Sequence, residues 1–173
     1  LSRDRKAAVV ARMHAQKVAA RPSAESLRRR AVTREGSLVW QSAYERIVQA
    51  ALTEAGIMAV VNQAIGPYNA DLGAAPVAVE VFGGNRHGSG RHAEIFPERC
   101  RHILDAGWHL VIVWVTKFLA LTPEGTDQLV AFVQQASRDE AAPRQYRVIG
   151  GGGQLLAARE GDFDDFTFIP PGR

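Results

Sequence analysis

The stretch Trp108-His-Leu-Val-Ile-Val-Trp-Val115 decides the fold class, because almost every residue in it is apolar. A strand without a polar face must be covered on both sides, which is typical of the interior of a parallel or mixed sheet. A helical pattern over residues 94–106 precedes this strand and ends at Gly107. A second helical pattern follows the strand and begins at Thr122 and Pro123. A buried strand between two helices predicts an α/β domain.

The remaining elements are predicted from periodicity and turn residues. Residues 38–55 carry apolar side chains at helical spacing and predict an amphipathic helix. Residues 77–82 have Glu80 as their only polar residue and predict a buried strand. The order of the elements predicts a mixed sheet flanked by helices. The other predicted segments are strands at residues 57–65, 68–72 and 146–149, and a turn at residues 73–76.

Charge is distributed unevenly along the 173 residues. Residues 1–35 contain ten basic and three acidic residues, a balance of +7, whereas the rest of the chain has a balance of −4. Arginine outnumbers lysine 18 to 3, and the planar guanidinium pairs well with phosphate and stacks on bases. We therefore predict a basic DNA-binding helical arm over residues 1–37, a core over 38–149 and a tail over 150–173. A solvated basic helix is the alternative for the arm.

Composition also limits the cellular setting. No apolar run approaches the roughly 18 residues that a membrane helix needs, and the charged N-terminus lacks the apolar core of a signal peptide. The single cysteine, Cys100, cannot form an internal disulfide, which is typical of a reducing cytoplasm. We expect a cytoplasmic protein without a membrane partner. The acidic cluster Asp162–Asp165 in the tail is either a solvated edge or a mimic of DNA facing the basic arm.

Two carboxylates bracket the turn between the predicted second and third strands. Asp71 precedes this turn and Glu80 follows it, nine residues later. Such a hairpin can bring both side chains to one end of the sheet, as oxygen donors for Mg²⁺ or Mn²⁺. A divalent cation there lowers the pKa of a water molecule and offsets charge on a phosphoryl oxygen. The alternative for Glu80 is a solvent-facing position beside Ala78 and Phe82.

Further candidates surround this pair. His87 follows two glycines and can move a proton near neutral pH, and His92 is a second candidate. Glu45 lies at the edge of the apolar face of the first helix. Glu98 begins the second helix, where the helix dipole favours an acid in any case. The residues expected to contact DNA phosphates are arginines of the arm and of the histidine loop: Arg28, Arg29, Arg30, Arg34, Arg86 and Arg91.

The order of these residues resembles a known group of nucleases, the very-short-patch-repair-type endonucleases and the EDxHD phage homing endonucleases of the PD-(D/E)xK fold. The likeness spans about residues 38–117, and its most specific piece is the stretch from Leu104 to Trp114. The matching features, in order, are Glu45, Asp71, the run Val-Ala-Val-Glu-Val-Phe-Gly-Gly over residues 77–84, His87 and the segment from Glu98 to Trp114.

The resemblance implies a restriction-endonuclease-like fold and a metal-dependent endonuclease acting on double-stranded DNA, of homing or repair type, in a bacterial or phage-infected cell. The site residues that it implies are a helix acid at Glu45, a metal aspartate at Asp71, a strand acid at Glu80, a loop histidine at His87 and a second-helix acid at Glu98.

This sequence departs from the group in three respects, one of which is that the aspartate of the group on the second helix is replaced by glutamate, at Glu98. Phe82 stands where the common nuclease signature has a lysine, and the zinc ligands of the repair enzymes are not matched. The missing lysine leaves a non-catalytic DNA-binding or assembly module as the alternative function. Nuclease action on RNA is a third alternative, for which the sequence offers no aromatic stacking motif.

Overall fold

The computed structural model describes residues 22–39, 41–83, 90–139 and 141–167, without the side chains of residues 90–94. Within these ranges the chain forms four helices and six strands. None of the helices found there is long and apolar enough to span a bilayer. The elements in chain order are α1 (Ala24–Arg34), α2 (Ala43–Glu54), β1 (Val60–Ile65), β2 (Tyr68–Ala74), β3 (Val77–Gly83), α3 (Gly90–Asp105), β4 (His109–Val115), α4 (Pro123–Arg138), β5 (Gln145–Gly150) and β6 (Leu155–Glu160).

Three helices begin at side chains that cap their first turn. Ser23, Ser42 and Thr122 each accept a hydrogen bond from the backbone N–H three residues later. These caps satisfy donors that the first turn of a helix leaves unpaired. The helices predicted in the core are confirmed, including the start of α4 after Thr122, although α2 begins later and α3 begins earlier than the sequence pattern indicates.

The six strands form one sheet in which the spatial order equals the chain order, from β1 to β6. The pairs β1–β2, β2–β3 and β5–β6 are antiparallel, whereas β3–β4 and β4–β5 are parallel. Every residue of β4 is buried, as its apolar sequence predicts. The predicted α/β class, with a mixed sheet flanked by helices, is therefore confirmed.

Each face of the sheet carries its own hydrophobic layer. On one face α2 and α4 pack against alternate strand residues, and on the other face α3 does so together with residues that follow β6. The helix residues buried on the first face are Val48, Leu52, Leu129, Phe132, Val133 and Ala136. Those buried on the second face include Phe96, Cys100, Ile103 and Leu104, joined by Phe163 and Phe166.

The two parallel crossovers have opposite hands. The chain steps from β3 to β4 and then from β4 to β5 in the same direction across the sheet. The first step passes through α3 on one face, and the second passes through α4 on the other face. Parallel crossovers are right-handed in the great majority of folds, so one of these two connections is of the rare hand.

α1 packs against the hairpin formed by β1 and β2. Ala31 is buried, and its carbonyl accepts a hydrogen bond from Asn69 Nδ2 at 2.8 Å. The N–H of Gly36 donates to the carbonyl of Val61 at 2.7 Å. The second half of the predicted basic arm is thus in contact with the sheet, while its four arginines are exposed: Arg28, Arg29, Arg30 and Arg34.

The segment predicted as a tail supplies the sixth strand. β6 pairs with β5 along its length, with a register shift near Val148 and Ile149. Its two leucines, Leu155 and Leu156, are 60% and 36% exposed. The acidic residues that follow are also exposed, and Asp165 pairs with Arg159. This acidic cluster therefore lies in solvent beside the sheet edge.

Candidate functional site

The register of the β2–β3 hairpin aligns the two predicted metal ligands. The ladder pairs Ala74 with Val77 and continues until Leu72 pairs with Val79. The next position in this register sets Asp71 opposite Glu80. The two carboxylates thus come from directly facing positions on neighbouring strands.

The turn of this hairpin is shorter than predicted. The sequence pattern indicates a turn over residues 73–76, but β2 continues through Ala74, and only Ala75 and Pro76 form the turn. Gly73 stays in the sheet because it pairs with Val60 on one side and Ala78 on the other. Asp71 therefore lies inside a strand instead of at its end.

The ladder opens at the acidic pair. The backbone N–H of Val81 donates to Asp71 Oδ2 at 2.8 Å, so the carboxylate takes the place of a backbone acceptor. In the adjacent strand Asn62 lies opposite Asp71 in the register and has φ of 52°. Asparagine is among the few residues that tolerate this left-handed region. Val61 and Ile65 lie four residues apart but pack on opposite faces, so the strand turns over at Asn62.

Glu80 is buried, with 1% of its surface exposed. It alternates with Ala78 and Phe82, as the sequence indicates, but α3 covers this face of the sheet. The solvent-facing alternative for Glu80 is therefore wrong. A buried carboxylate is costly unless a cation or several donors compensate it.

Arg99 on α3 supplies that compensation in the described structure. Its Nη2 donates both to Glu80 Oε1, forming an ion pair, and to the backbone carbonyl of Asn69. The Nε–H of the same guanidinium is buried and has no hydrogen-bond partner. The side chain of Arg99 remains 24% exposed, against 2% for that of Glu80. The site thus contains one guanidinium that is shared and incompletely paired.

Both carboxyl groups of the pair hold their protons more tightly than usual. Burial raises the pKa of Asp71 to about 6, and the Glu45 charge also raises it, while the bond from Val81 and the Arg99 charge lower it. Burial raises the pKa of Glu80 well above its ordinary value, and the charge of Asp71 adds to this, against the opposing charge of Arg99. Burial is the main cause in both cases, so ionising either carboxyl group requires a nearby positive charge, such as that of Arg99 or of a bound cation.

The two predicted helix acids differ in placement. Glu45, in the first turn of α2, is half-buried, and its charge acts on the pKa of both Asp71 and Glu80. Glu98 is exposed and accepts a hydrogen bond from the hydroxyl of Tyr68 at 3.4 Å. Glu98 has no contact with the carboxylate pair among the bonds of the described residues. The position that α3 presents to the pair belongs to Arg99 instead.

Several predicted site residues lie outside the described structure. His87 and Arg86 belong to residues 84–89, which the structure does not describe, and the side chains of Arg91 and His92 are likewise not described. His102, which follows them on α3, stacks edge-on against Tyr68 with ring centroids 5.4 Å apart. Cys100 is a buried free thiol. Neither His102 nor Cys100 contributes to the carboxylate pair.

The donor set around Asp71 fits a hard cation of the Mg²⁺ type. Across the described residues no group of three or more histidine, cysteine, aspartate or glutamate side chains is arranged to hold a metal ion. Mg²⁺ requires only one or two protein carboxylates when water and phosphate complete its shell. Asp71 and Glu80 supply that number, with Arg99 as a competitor for Glu80.

Arg99 and Asn69 are the two functional candidates that sequence reasoning missed. Arg99 lies three residues after Phe96 and four before Ile103, both of which are buried. This spacing places it on the buried face of α3. An arginine within an apolar helix face, with a lone glutamate in the neighbouring buried strand, is the signal that would have indicated their pairing. The role of Asn69 carried no such signal, because it uses its backbone carbonyl.

Comparison with known proteins yields no matching family model, no similar characterised protein and no similar solved structure.

Proposed function

We propose that the protein is a divalent-metal-dependent endonuclease that acts on double-stranded DNA and has a restriction-endonuclease-like core. The observation that carries this proposal is the facing pair of Asp71 and Glu80, two carboxyl groups withdrawn from water with the single guanidinium of Arg99 beside them. The resemblance of the sequence to EDxHD nucleases names the same two residues. This assignment rests on one part of the fold. In it the antiparallel strands β1, β2 and β3 are followed by α3 and then by β4, which is parallel to β3.

Each residue has a defined part in this proposal. Asp71 and Glu80 hold Mg²⁺ or Mn²⁺, which would activate water and offset charge on the phosphodiester. Glu45 adds negative charge beside the ligands and favours cation binding. His87 transfers a proton in the reaction, and the arginines Arg86 and Arg91 hold the phosphate near it. Such an enzyme acts on DNA in the cytoplasm of a bacterial or phage-infected cell.

Plasmid cleavage tests this function directly. The full chain should relax or linearise supercoiled plasmid in the presence of Mg²⁺ or Mn²⁺, and EDTA should stop the reaction. Asp71→Asn removes one charge with little change of shape, so it should abolish cleavage while DNA binding is retained. Asp127→Asn, at an exposed position of α4, is the matched control and should cleave normally. Near-full cleavage by a folded Asp71→Asn protein would refute the assignment.

A non-catalytic DNA-binding or assembly module is the second candidate, and one observation favours it. The ion pair between Arg99 and Glu80 already occupies one of the two proposed metal ligands. In that case Arg99 would be a permanent structural partner, and the fold would present only its exposed arginines to DNA. Salt-dependent DNA binding without metal-dependent cleavage by the wild-type chain would select this candidate.

A further inference from the structure

The partners of Arg99 leave its guanidinium incompletely satisfied. Nη2 is bonded to both Glu80 and the carbonyl of Asn69, but the buried Nε–H has no acceptor in the described structure. A buried donor without a partner has lost its hydration and gained nothing in exchange. The arrangement is therefore one that a competing interaction can displace at reduced cost.

Glu80 is the point of competition. Among the described residues its only ion-pair partner is Arg99, and the same carboxylate is one of the two proposed metal ligands. A divalent cation and a guanidinium cannot both take the full charge of one carboxylate. The cation has the advantage of a second ligand, because Asp71 lies opposite Glu80 in the hairpin register.

A displaced Arg99 has a route toward solvent. Its side chain is 24% exposed, whereas Glu80 lies at the closed end of the site. Arg99 also contacts the backbone carbonyl of Asn69, the neighbour of Tyr68, whose hydroxyl contacts the exposed Glu98. The guanidinium therefore lies between the buried carboxylates and the protein surface. Its planar fork suits the oxygens of a phosphodiester better than any other side chain does.

We propose that a divalent cation displaces Arg99 from Glu80, and that the released guanidinium then binds a phosphate oxygen of the DNA. This inference rests on the proposed function, because it needs both the metal and the phosphodiester. Glu80 then pairs with Arg99 in the metal-free protein and with the divalent cation once metal is bound. Metal and DNA then strengthen each other's binding, and Arg99 is the residue that couples them.

The test measures Mn²⁺ affinity of the full chain by electron paramagnetic resonance, with and without a phosphorothioate DNA duplex. For the wild type we expect DNA to tighten Mn²⁺ binding by at least about fivefold, the lower end of ordinary coupling between sites. Arg99→Gln should bind Mn²⁺ about tenfold more tightly than wild type without DNA, because the competitor for Glu80 is gone. Its tightening by DNA should be at least about fivefold smaller than that of the wild type.

Two further variants separate the role of Arg99 from charge and folding effects. Arg101→Gln removes an exposed arginine of the same helix and should keep the wild-type affinity and coupling. Arg99→Lys retains a cation beside Glu80 and so keeps the chain folded if Arg99→Gln fails to fold. The ammonium lacks the planar fork, so we expect Arg99→Lys to keep weak metal binding without DNA and to lose most of the coupling.

The outcomes distinguish this inference from the proposed function. Equal Mn²⁺ affinity and equal coupling in the Arg99 variants and the wild type would overturn the inference and leave the metal site intact. Wild-type coupling that is absent altogether would overturn it in the same way. Failure of the wild type to bind Mn²⁺ in a manner sensitive to Asp71→Asn would remove the metal site itself, and with it both proposals.

Discussion

At the scale of single residues, the Asp71 carboxyl group links the site to stability. Burial raises its pKa from 3.8 to about 6 in the folded chain. Below pH 3.8 the group is protonated in both the folded and unfolded states, and its contribution to stability is fully present. That contribution is lost as the pH rises through about 6, because the folded state then carries a desolvated charge that the unfolded state keeps in water.

Asp71→Asn should therefore stabilise the metal-free protein at alkaline pH. We expect its free energy of unfolding to exceed that of the wild type by about 1–3 kcal/mol near pH 8, with little difference near pH 3.5. Urea unfolding in EDTA measures both values. The exposed Asp127→Asn should show no such pH-dependent gain. Equal stability of Asp71→Asn and wild type at the higher pH would mean that the Asp71 charge is fully compensated without metal.

His87 belongs to the same scale. If it transfers a proton in the reaction, His87→Ala should lower the cleavage rate by about 10²–10⁴-fold. The melting temperature should barely change, since the glycines before His87 in the sequence predict a loop there. Plasmid cleavage and thermal unfolding of the same preparation provide the two readouts. A large fall in melting temperature with normal cleavage would make His87 a structural residue instead.

Sequence patterns locate the acidic pair but not its counter-charge. Asp71 and Glu80 are identified because they interrupt apolar strands on either side of a turn. Arg99 is missed because one arginine on a helix gives no warning that its Nη2 reaches across to a strand. The left-handed backbone of Asn62, which opens the sheet at Asp71, is equally hidden. It depends on the register of two strands, which local sequence does not determine.

At the scale of elements, the start of α4 is fixed by contact with the loop between β5 and β6. Gly151 accepts a hydrogen bond from the N–H of Thr122 at 2.9 Å. A Cβ added to Gly125 would lie 1.8 Å from the same carbonyl oxygen of Gly151. No side-chain rotation can relieve a clash between backbone oxygen and Cβ. This approach ties the helix to the last two strands.

Gly125→Ala should accordingly destabilise the fold. The clash should cost about 1–3 kcal/mol, typical of overpacking, and should outweigh the gain of up to about 1 kcal/mol from replacing glycine in a helix. Urea unfolding measures the change. Gln135→Ala at an exposed position of α4 is the control, for which we expect a change within about 0.5 kcal/mol. A Gly125→Ala protein as stable as wild type would show that the loop yields easily.

The sixth strand shows why some elements escape sequence reasoning. β6 reads Leu-Leu-Ala-Ala-Arg-Glu, which contains no β-branched residue and two alanines. Strand propensity is low for such a segment, and although its exposure alternates from Leu156 to Glu160, the sequence does not alternate between apolar and polar residues. It becomes a strand because the glycine loop after β5 returns it alongside that strand. By contrast, β4 was predictable since its apolar residues must be covered wherever they lie.

At the scale of the whole molecule, the exposed arginines of α1 define the expected DNA-binding charge. Arg28, Arg29, Arg30 and Arg34 lie on a helix that also buries Ala31. Deletion of residues 1–35 would therefore remove both charge and packing. Replacing the four arginines by glutamine removes charge alone, which makes it the cleaner experiment.

The fourfold glutamine variant should bind DNA more weakly and with a flatter salt dependence. Each lost phosphate contact reduces the slope of log affinity against log salt by about 0.9, so we expect a reduction of about 2–4 units. Fluorescence anisotropy at several salt concentrations measures the slope, and circular dichroism should be unchanged. Arg138→Gln, exposed on α4, should leave the slope nearly constant. An unchanged slope in the fourfold variant would mean that other residues, with Arg86 and Arg91 as the remaining candidates, bind DNA.

The position of β6 at the edge of the sheet affects the solubility of the protein. Among the described residues β6 pairs only with β5 and forms one edge of the sheet, with Leu155 and Leu156 exposed on it. Such an edge is a template for a strand of another copy. Arg159 and Glu160 at the end of β6 place charge along part of this edge and oppose that pairing. Solubility of the purified protein is therefore expected to fall where salt screens these charges and concentration is high.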